Sequence, residues 1–196
     1  MHLEGRLLFE IMATQLFMLN MPASATYLDI REFMMKPPRT WTYNTTLEIP
    51  YSCKVDVAIN TSGRDIYFDQ FGIEKTGSIT SSIRIGHTYQ SYDLSERPWN
   101  LMFITDYLTG YTRRQVMFLI PGICAVNKVE RYVDTFPPNY ELLVKDSVLD
   151  KLPNICFKRY QKFVNQTGRT SRAVYNKDCE TNLNVTIQNS SIFWIL

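Results

Sequence analysis

The stretch WTYNTTLEIPYSCKVDVAINTSGRDIYFDQFGIEKTGS, residues 41–78, decides the fold. It is rich in Thr, Val, Ile, Tyr and Phe, and Pro50, Ser62-Gly63 and Thr76-Gly77 cut it into runs of strand length. The same pattern continues downstream and predicts strands near 40–49, 52–60, 65–74, 78–90, 99–107, 112–120, 123–132 and 140–145. Turn chemistry separates the later runs as well, at Glu96-Arg97-Pro98, Gly110, Pro121-Gly122 and Pro137-Pro138. Connections this short make consecutive strands antiparallel. Eight up-and-down antiparallel strands lose their free edges by closing into a barrel, whose interior just holds a small ligand or is filled by side chains.

The period changes after the strands. Val148, Leu149, Leu152, Ile155, Cys156, Tyr160 and Phe163 fall at helical intervals, and Pro153 places the start of a helix near Asn154. This helix, about 154–164, is expected with one face on the barrel wall. The tail, 180–196, ends in Ile192-Phe193-Trp194-Ile195-Leu196, an apolar run suited to capping the barrel, packing outside it or mediating association. At the other end, residues 1–25 read as a secretory leader, with Arg6, an apolar stretch and the small residues Ala23-Ser24-Ala25 before a cleavage site. The bland alternative is a buried N-terminal helix. Residues 26–196 then form one domain, with the barrel at about 40–145.

The even set of cysteines, Cys53, Cys124, Cys156 and Cys179, is widely spaced and has no CxxC, which argues for two disulfides in any of three connectivities rather than a metal site. Sequons at Asn44, Asn60, Asn165, Asn184 and Asn189 also fit an extracellular chain. A net charge of +2, with 21 basic against 19 acidic residues and no basic block, speaks against nucleic acid as a partner. After residue 25 no segment reaches the roughly 18 apolar residues of a membrane span. His2 and His87 are the only histidines, and no nucleophile elbow, HExxH, P-loop or dinucleotide fingerprint occurs. Neither an enzyme nor a resident cofactor or metal is expected.

Several stretches together resemble the salivary lipocalins of ticks, the group of the histamine-binding proteins. They are Trp41-Thr42-Tyr43, Cys53, Cys124 after Pro121-Gly122, Tyr140-Glu141-Leu142-Leu143, Leu152-Pro153-Asn154-Ile155-Cys156, and Cys179 after Arg172-Ala173-Val174-Tyr175. The resemblance covers most of residues 40–179. It implies an eight-stranded lipocalin barrel with a C-terminal α-helix packed on its outside, bridges Cys53–Cys179 and Cys124–Cys156, and sequestration of a small host molecule. The Gly-x-Trp signature of ordinary lipocalins is absent, Arg39-Thr40 standing before Trp41. The Asp/Glu-Ala-Trp segment of many amine binders is also missing, which weakens a histamine assignment. Within that group the chain resembles the japanin-like branch, which implies a sterol-type ligand and action on host immune cells.

Period-two alternation assigns faces. An outward, glycosylated Asn44 turns Trp41, Tyr43 and Leu47 inward. In the second strand, the apolar register places Val55 and Val57 inside. The other register buries Lys54, Asp56 and Ala58, which is costly without charge partners, so the apolar one is preferred. With the bulky residues of later strands, the expected lining is Trp41, Tyr43, Leu47, Val55, Val57, Ile83, Trp99, Leu101, Phe103, Tyr107, Tyr140 and Leu142. A biogenic amine would instead need inward carboxylates, for which Asp106 and Asp56 are the candidates. The expected partner is thus a small hydrophobic molecule or a biogenic amine, with host immune-cell proteins as the target of a third reading in which the barrel is only a scaffold.

Overall fold

The structure, a computed structural model, describes residues 28–90, 99–106, 110–131 and 137–191. The expected leader, the apolar end of the tail and Tyr107 lie outside the described residues. The strands are β1 (Arg39–Thr45), β2 (Tyr51–Ser62), β3 (Asp65–Glu74), β4 (Ile79–Tyr89), β5 (Leu101–Asp106), β6 (Gly110–Ile120), β7 (Cys124–Arg131) and β8 (Asn139–Lys145). Each pairs antiparallel with the next, and β1 pairs with both β8 and β2. The sheet therefore closes on itself as an eight-stranded up-and-down barrel. A short β9 (Arg172–Ala173) adds to β1 at Asn44 and Thr45.

One end is shut by α1 (Ile30–Met35). Asp29 caps it, accepting from the Arg31 amide at 2.9 Å and from the Glu32 amide at 3.5 Å. Its Ile30, Phe33 and Met34 are buried against Ile66, Phe68, Met102, Ile104, Val116 and Leu143. Lys145, fully buried at the end of β8, ties the plug down. Its Nζ donates to the carbonyls of Met34 and Pro37, at 3.2 and 2.6 Å, and to Thr40 Oγ1 at 2.7 Å, and it lies 4.5 Å from the Phe33 ring centre.

After β8 a 3₁₀ turn (Asp146–Lys151) leads to α2 (Asn154–Thr167), which ends at Gly168 in the left-handed conformation. Cys156, Tyr160 and Val164 form its buried face; Cys156 and Tyr160 are expected there, whereas Ile155, also expected, is exposed. Residues given to the tail belong to a further helix, α3 (Lys177–Ser191), in which Cys179, Leu183 and Ile187 are buried. The bridge Cys124–Cys156 holds α2 to β7, and Cys53–Cys179 holds α3 to β2. Both helices thus lie on the outer wall, over a second apolar layer that includes Trp41, Val55, Phe71, Val126, Leu142 and Val144. Full burial of one such side chain contributes about 1.5–3 kcal/mol, so the outer layer is a main source of stability. No helix among the described residues is long and apolar enough to cross a membrane.

Candidate functional site

The facing of each strand follows from contacts that span the barrel. Arg114 on β6 donates from Nη1 to Asp56 Oδ2 on β2 at 2.8 Å. These strands are not neighbours in the sheet, so the bond crosses the lumen. Lys54 on β2 lies 3.6 Å from Glu141 Oε1 on β8, and Arg114 Nε lies 3.3 Å from Glu141 Oε2. Cross-strand pairing then carries the inner face round the ring, from Asp56 to Gln70 and from Glu141 to Asn127. A belt of Lys54, Asp56, Gln70, Arg114, Asn127 and Glu141 therefore girdles the inside.

This corrects the apolar register. Lys54, Asp56 and Ala58 face inward, while Val55 and Val57 face the helices. The objection to the charged register, that it lacks partners, is met across the lumen. Gln70 Nε2 donates to Asp56 Oδ1 at 2.8 Å, so both oxygens of Asp56 are engaged. Burial pushes the Asp56 pKa upward, but Arg114, Lys54 and the Gln70 hydrogen bond outweigh it and hold the carboxyl below its ordinary range. Burial likewise works against a charged Arg114, and Glu141 and Asp56 outweigh it, keeping the guanidinium protonated.

The remaining members of the belt are less well satisfied. Asn127, 0% exposed, has no hydrogen-bond partner among the described residues at either Nδ2 or Oδ1. Glu141, 1% exposed, meets its two cations at ion-pair distance, and neither its oxygens nor Arg114 Nε makes a well-aligned hydrogen bond. Unmet donors and acceptors are thus gathered on β6, β7 and β8, on one side of the lumen. Nothing marks Asn127 in the sequence except its inward phase. Arg114 stands in the run Thr112-Arg113-Arg114-Gln115, which reads as a solvated strand.

The expected lining residues mostly sit elsewhere. Trp41 and Tyr43 are outside, both against Tyr175 at 5.4 Å between ring centres, and Trp41 Nε1 donates to Asp146 at 2.7 Å. The cause is a bulge between Thr42 and Asn44, which puts Trp41 on the same side as Asn44. A second bulge, between Ala58 and Asn60, lets Asn60 be exposed while Val55 and Val57 face outward. Tyr140 stacks on Phe163 of α2 at 5.4 Å, and Leu142 joins the same outer layer. Ile83 is exposed on the outer face, and Phe103 meets Tyr89 and Tyr111 there. Leu101, between Tyr89 and Gln115, shares that face. Trp99 lies near α1, where the guanidiniums of Arg31 and Arg64 stand 4.1 and 5.8 Å from its ring. Asp106 ends β5, and its side chain lies outside the described residues.

Leu47 is at the rim opposite α1. It packs with Ile49, Val129, Val174 and Tyr51, and the Tyr51 ring occupies the space that a side chain on Gly72 would need, 2.6 Å from an added Cβ. The β1–β2 connection is held over this end by Arg172, whose Nη2 donates to the carbonyls of Leu47 and Ile49 at 2.8 Å each, and by Arg131, which donates to the Glu48 carbonyl at 3.4 Å. A groove of about 370 Å³ runs beside it, between Thr46, Leu47, Glu48, Arg169, Thr170 and Arg172.

Of the sequons, Asn60 and Asn165 are exposed, and Asn184 accepts from Arg39 Nη1 at 3.0 Å. Asn44 does not face water as expected. It is 9% exposed beneath β9, donating to Ser171 Oγ at 3.3 Å. The side chain of Asn189 lies outside the described residues.

No protein-family model matches this sequence, and neither does any curated protein. Solved structures do match the fold. The siderocalin Ex-FABP aligns with a TM-score of 0.53 at 6% identity, covering 71% of this chain and 93% of that one. The bovine lipocalin allergen Bos d 2 aligns at 0.49 with 11% identity, covering 69% and 89%. The closed eight-stranded barrel with its helix outside is the lipocalin fold.

Proposed function

We propose that this lipocalin is a secreted protein that takes one small amphipathic molecule into its barrel and removes it from its surroundings. The observation that carries the reading is the group of buried, hydrogen-bond-deficient polar atoms of Asn127, Glu141 and Arg114 on the lumen wall. A buried polar atom without a hydrogen bond costs about 1–3 kcal/mol, which a polar guest offsets. The apolar rim of Leu47, Ile49, Tyr51 and Val129 suits the rest of the guest. The two disulfides favour an oxidising compartment, and modulation of host immune or inflammatory responses is the role that the resemblance to tick salivary lipocalins supplies.

The test is native mass spectrometry of the secreted, deglycosylated protein, followed by denaturing extraction. A stoichiometric sterol or similar neutral lipid is the expected result. Protein that emerges empty, and takes up no sterol, fatty acid or amine on titration, overturns the reading.

A biogenic amine is the second reading, because Asp56 and Glu141 are two inward carboxylates. Against it, Arg114 and Lys54 already match their charge. Tight uptake of histamine or serotonin by the empty protein would establish it in place of the first.

A further inference from the structure

We propose that Asn127, Glu141 and Arg114 form a head-group site for an uncharged group that both donates and accepts hydrogen bonds, such as a hydroxyl or a primary amide. The inference rests on the barrel being the binding site and names the chemistry it selects.

Two observations lead there. The first is the inventory of unmet capacity. Glu141 offers two acceptor oxygens, Asn127 one acceptor and an amide donor, and Arg114 one N–H; all of these atoms are buried, those of Asn127 without any hydrogen bond among the described residues and those of Glu141 and Arg114 with ion-pair contacts but no well-aligned one. Asn127 and Glu141 are direct cross-strand partners on β7 and β8, and Glu141 lies 3.3 Å from Arg114 Nε. Donors and acceptors are therefore side by side. A group that only donates leaves the amide and guanidinium unmet, and one that only accepts leaves the carboxylate unmet.

The second is charge. Within the belt the formal charges of Lys54 and Arg114 cancel those of Asp56 and Glu141, and both carboxylates lie within ion-pair distance of a cation. Lys145 lies apart, at the α1 end, with three acceptors of its own. A bare ammonium or carboxylate brought into the belt adds one uncompensated charge to a site removed from water, which is far more costly than adding a neutral polar group. A hydroxyl or amide meets the hydrogen-bond demand and leaves the balance unchanged.

The experiment compares ligands that differ only at the head: decan-1-ol, decanamide, decylamine and decanoic acid. Each is titrated calorimetrically at pH 7.4 into the secreted full-length protein cleared of co-purified lipid. The alcohol and amide are expected to bind at least about tenfold more tightly than the amine and the acid. Two variants shift the balance in opposite directions. Glu141→Gln leaves the belt positive and is expected to raise the affinity for decanoic acid relative to decylamine. Lys54→Met leaves it negative and is expected to do the reverse. Circular dichroism checks that each variant is folded, and the comparison of the four ligands on the parent protein stands without them. If the four heads bind alike, or if folded variants retain the parent's order, the head-group site is overturned while the barrel reading stands. If no member of the series binds and the extracted protein is empty, the barrel reading fails and this inference fails with it.

Discussion

Arg114 and Asp56 join opposite walls of the barrel, from β6 to β2, at 2.8 Å, and both are almost wholly buried. The pair acts as a cross-brace whose halves depend on each other. Asp56→Asn or Arg114→Met alone leaves a buried charge without its main partner and is expected to cost about 3–5 kcal/mol. The double variant is expected to be more stable than either single one, as read from urea unfolding. The Asp56 pKa is depressed in the fold, so its stabilisation is present above the ordinary pKa of 3.8 and is lost as pH falls through the folded value.

Lys145 gives a pH dependence of the other sense. Burial lowers its pKa from 10.5 to about 7, with Asp56 opposing the shift in part. Between these values the unfolded chain holds a proton that the folded one has released, so stability rises with pH across that window. Compared with a Lys145→Met variant, the parent is expected to gain on the order of 1 kcal/mol per pH unit between pH 7.5 and 9. Urea midpoints measured across that range check it. A constant difference would mean that the amine does not titrate there.

The two bridges are expected to differ in what their loss releases. Cys124 and Cys156 are 32 residues apart, Cys53 and Cys179 are 126 apart, and each pair is worth about 2–4 kcal/mol. Replacing Cys53 and Cys179 by Ser is expected to raise amide exchange in α3 and along β2 while leaving α2 protected. Replacing Cys124 and Cys156 is expected to do the converse.

Glycan occupancy is expected to follow burial. Asn60 and Asn165 face solvent, whereas Asn44 lies under β9 against Ser171. Peptide mapping after glycosidase release in heavy-oxygen water is expected to label Asn60 and Asn165 and to leave Asn44 unlabelled. Full labelling at Asn44 would require β9 to be displaced from Asn44 when the glycan is added.

The strands were legible in the sequence because their turns are punctuated by Pro and Gly, and α2 because its apolar spacing has a helical period. The inner face was not. Hydrophobicity identifies which side of a strand is buried, and on β2, β7 and β8 both sides are, one by the lumen and the other by α2 and α3. With Val55, Leu142 and Val144 outside, the apolar set pointed to the wrong wall. Bulges at Thr42/Asn44 and Ala58/Asn60 then broke the count of two that carried a face from a sequon to its neighbours. The partners of Asp56 and Glu141 are 58 residues and 27 residues away in the chain, and Asp56 meets Arg114 only because the barrel closes. α3 was hidden because Thr, Asn and Ser outnumber its buried Leu183 and Ile187.

The rim opposite α1 sets a tempo. Its covering segment is fastened by arginine donors to the carbonyls of Leu47, Glu48 and Ile49, groups that any side chain at those positions would still present. A guest entering or leaving by that route must wait for these bonds to break together with the apolar contacts of Leu47 and Ile49. How long the barrel keeps the proposed guest after dilution is then expected to be set by the opening rate of this clasp, separately from the affinity of the walls. An Arg172→Ala variant is expected to shorten residence time more than it weakens equilibrium binding.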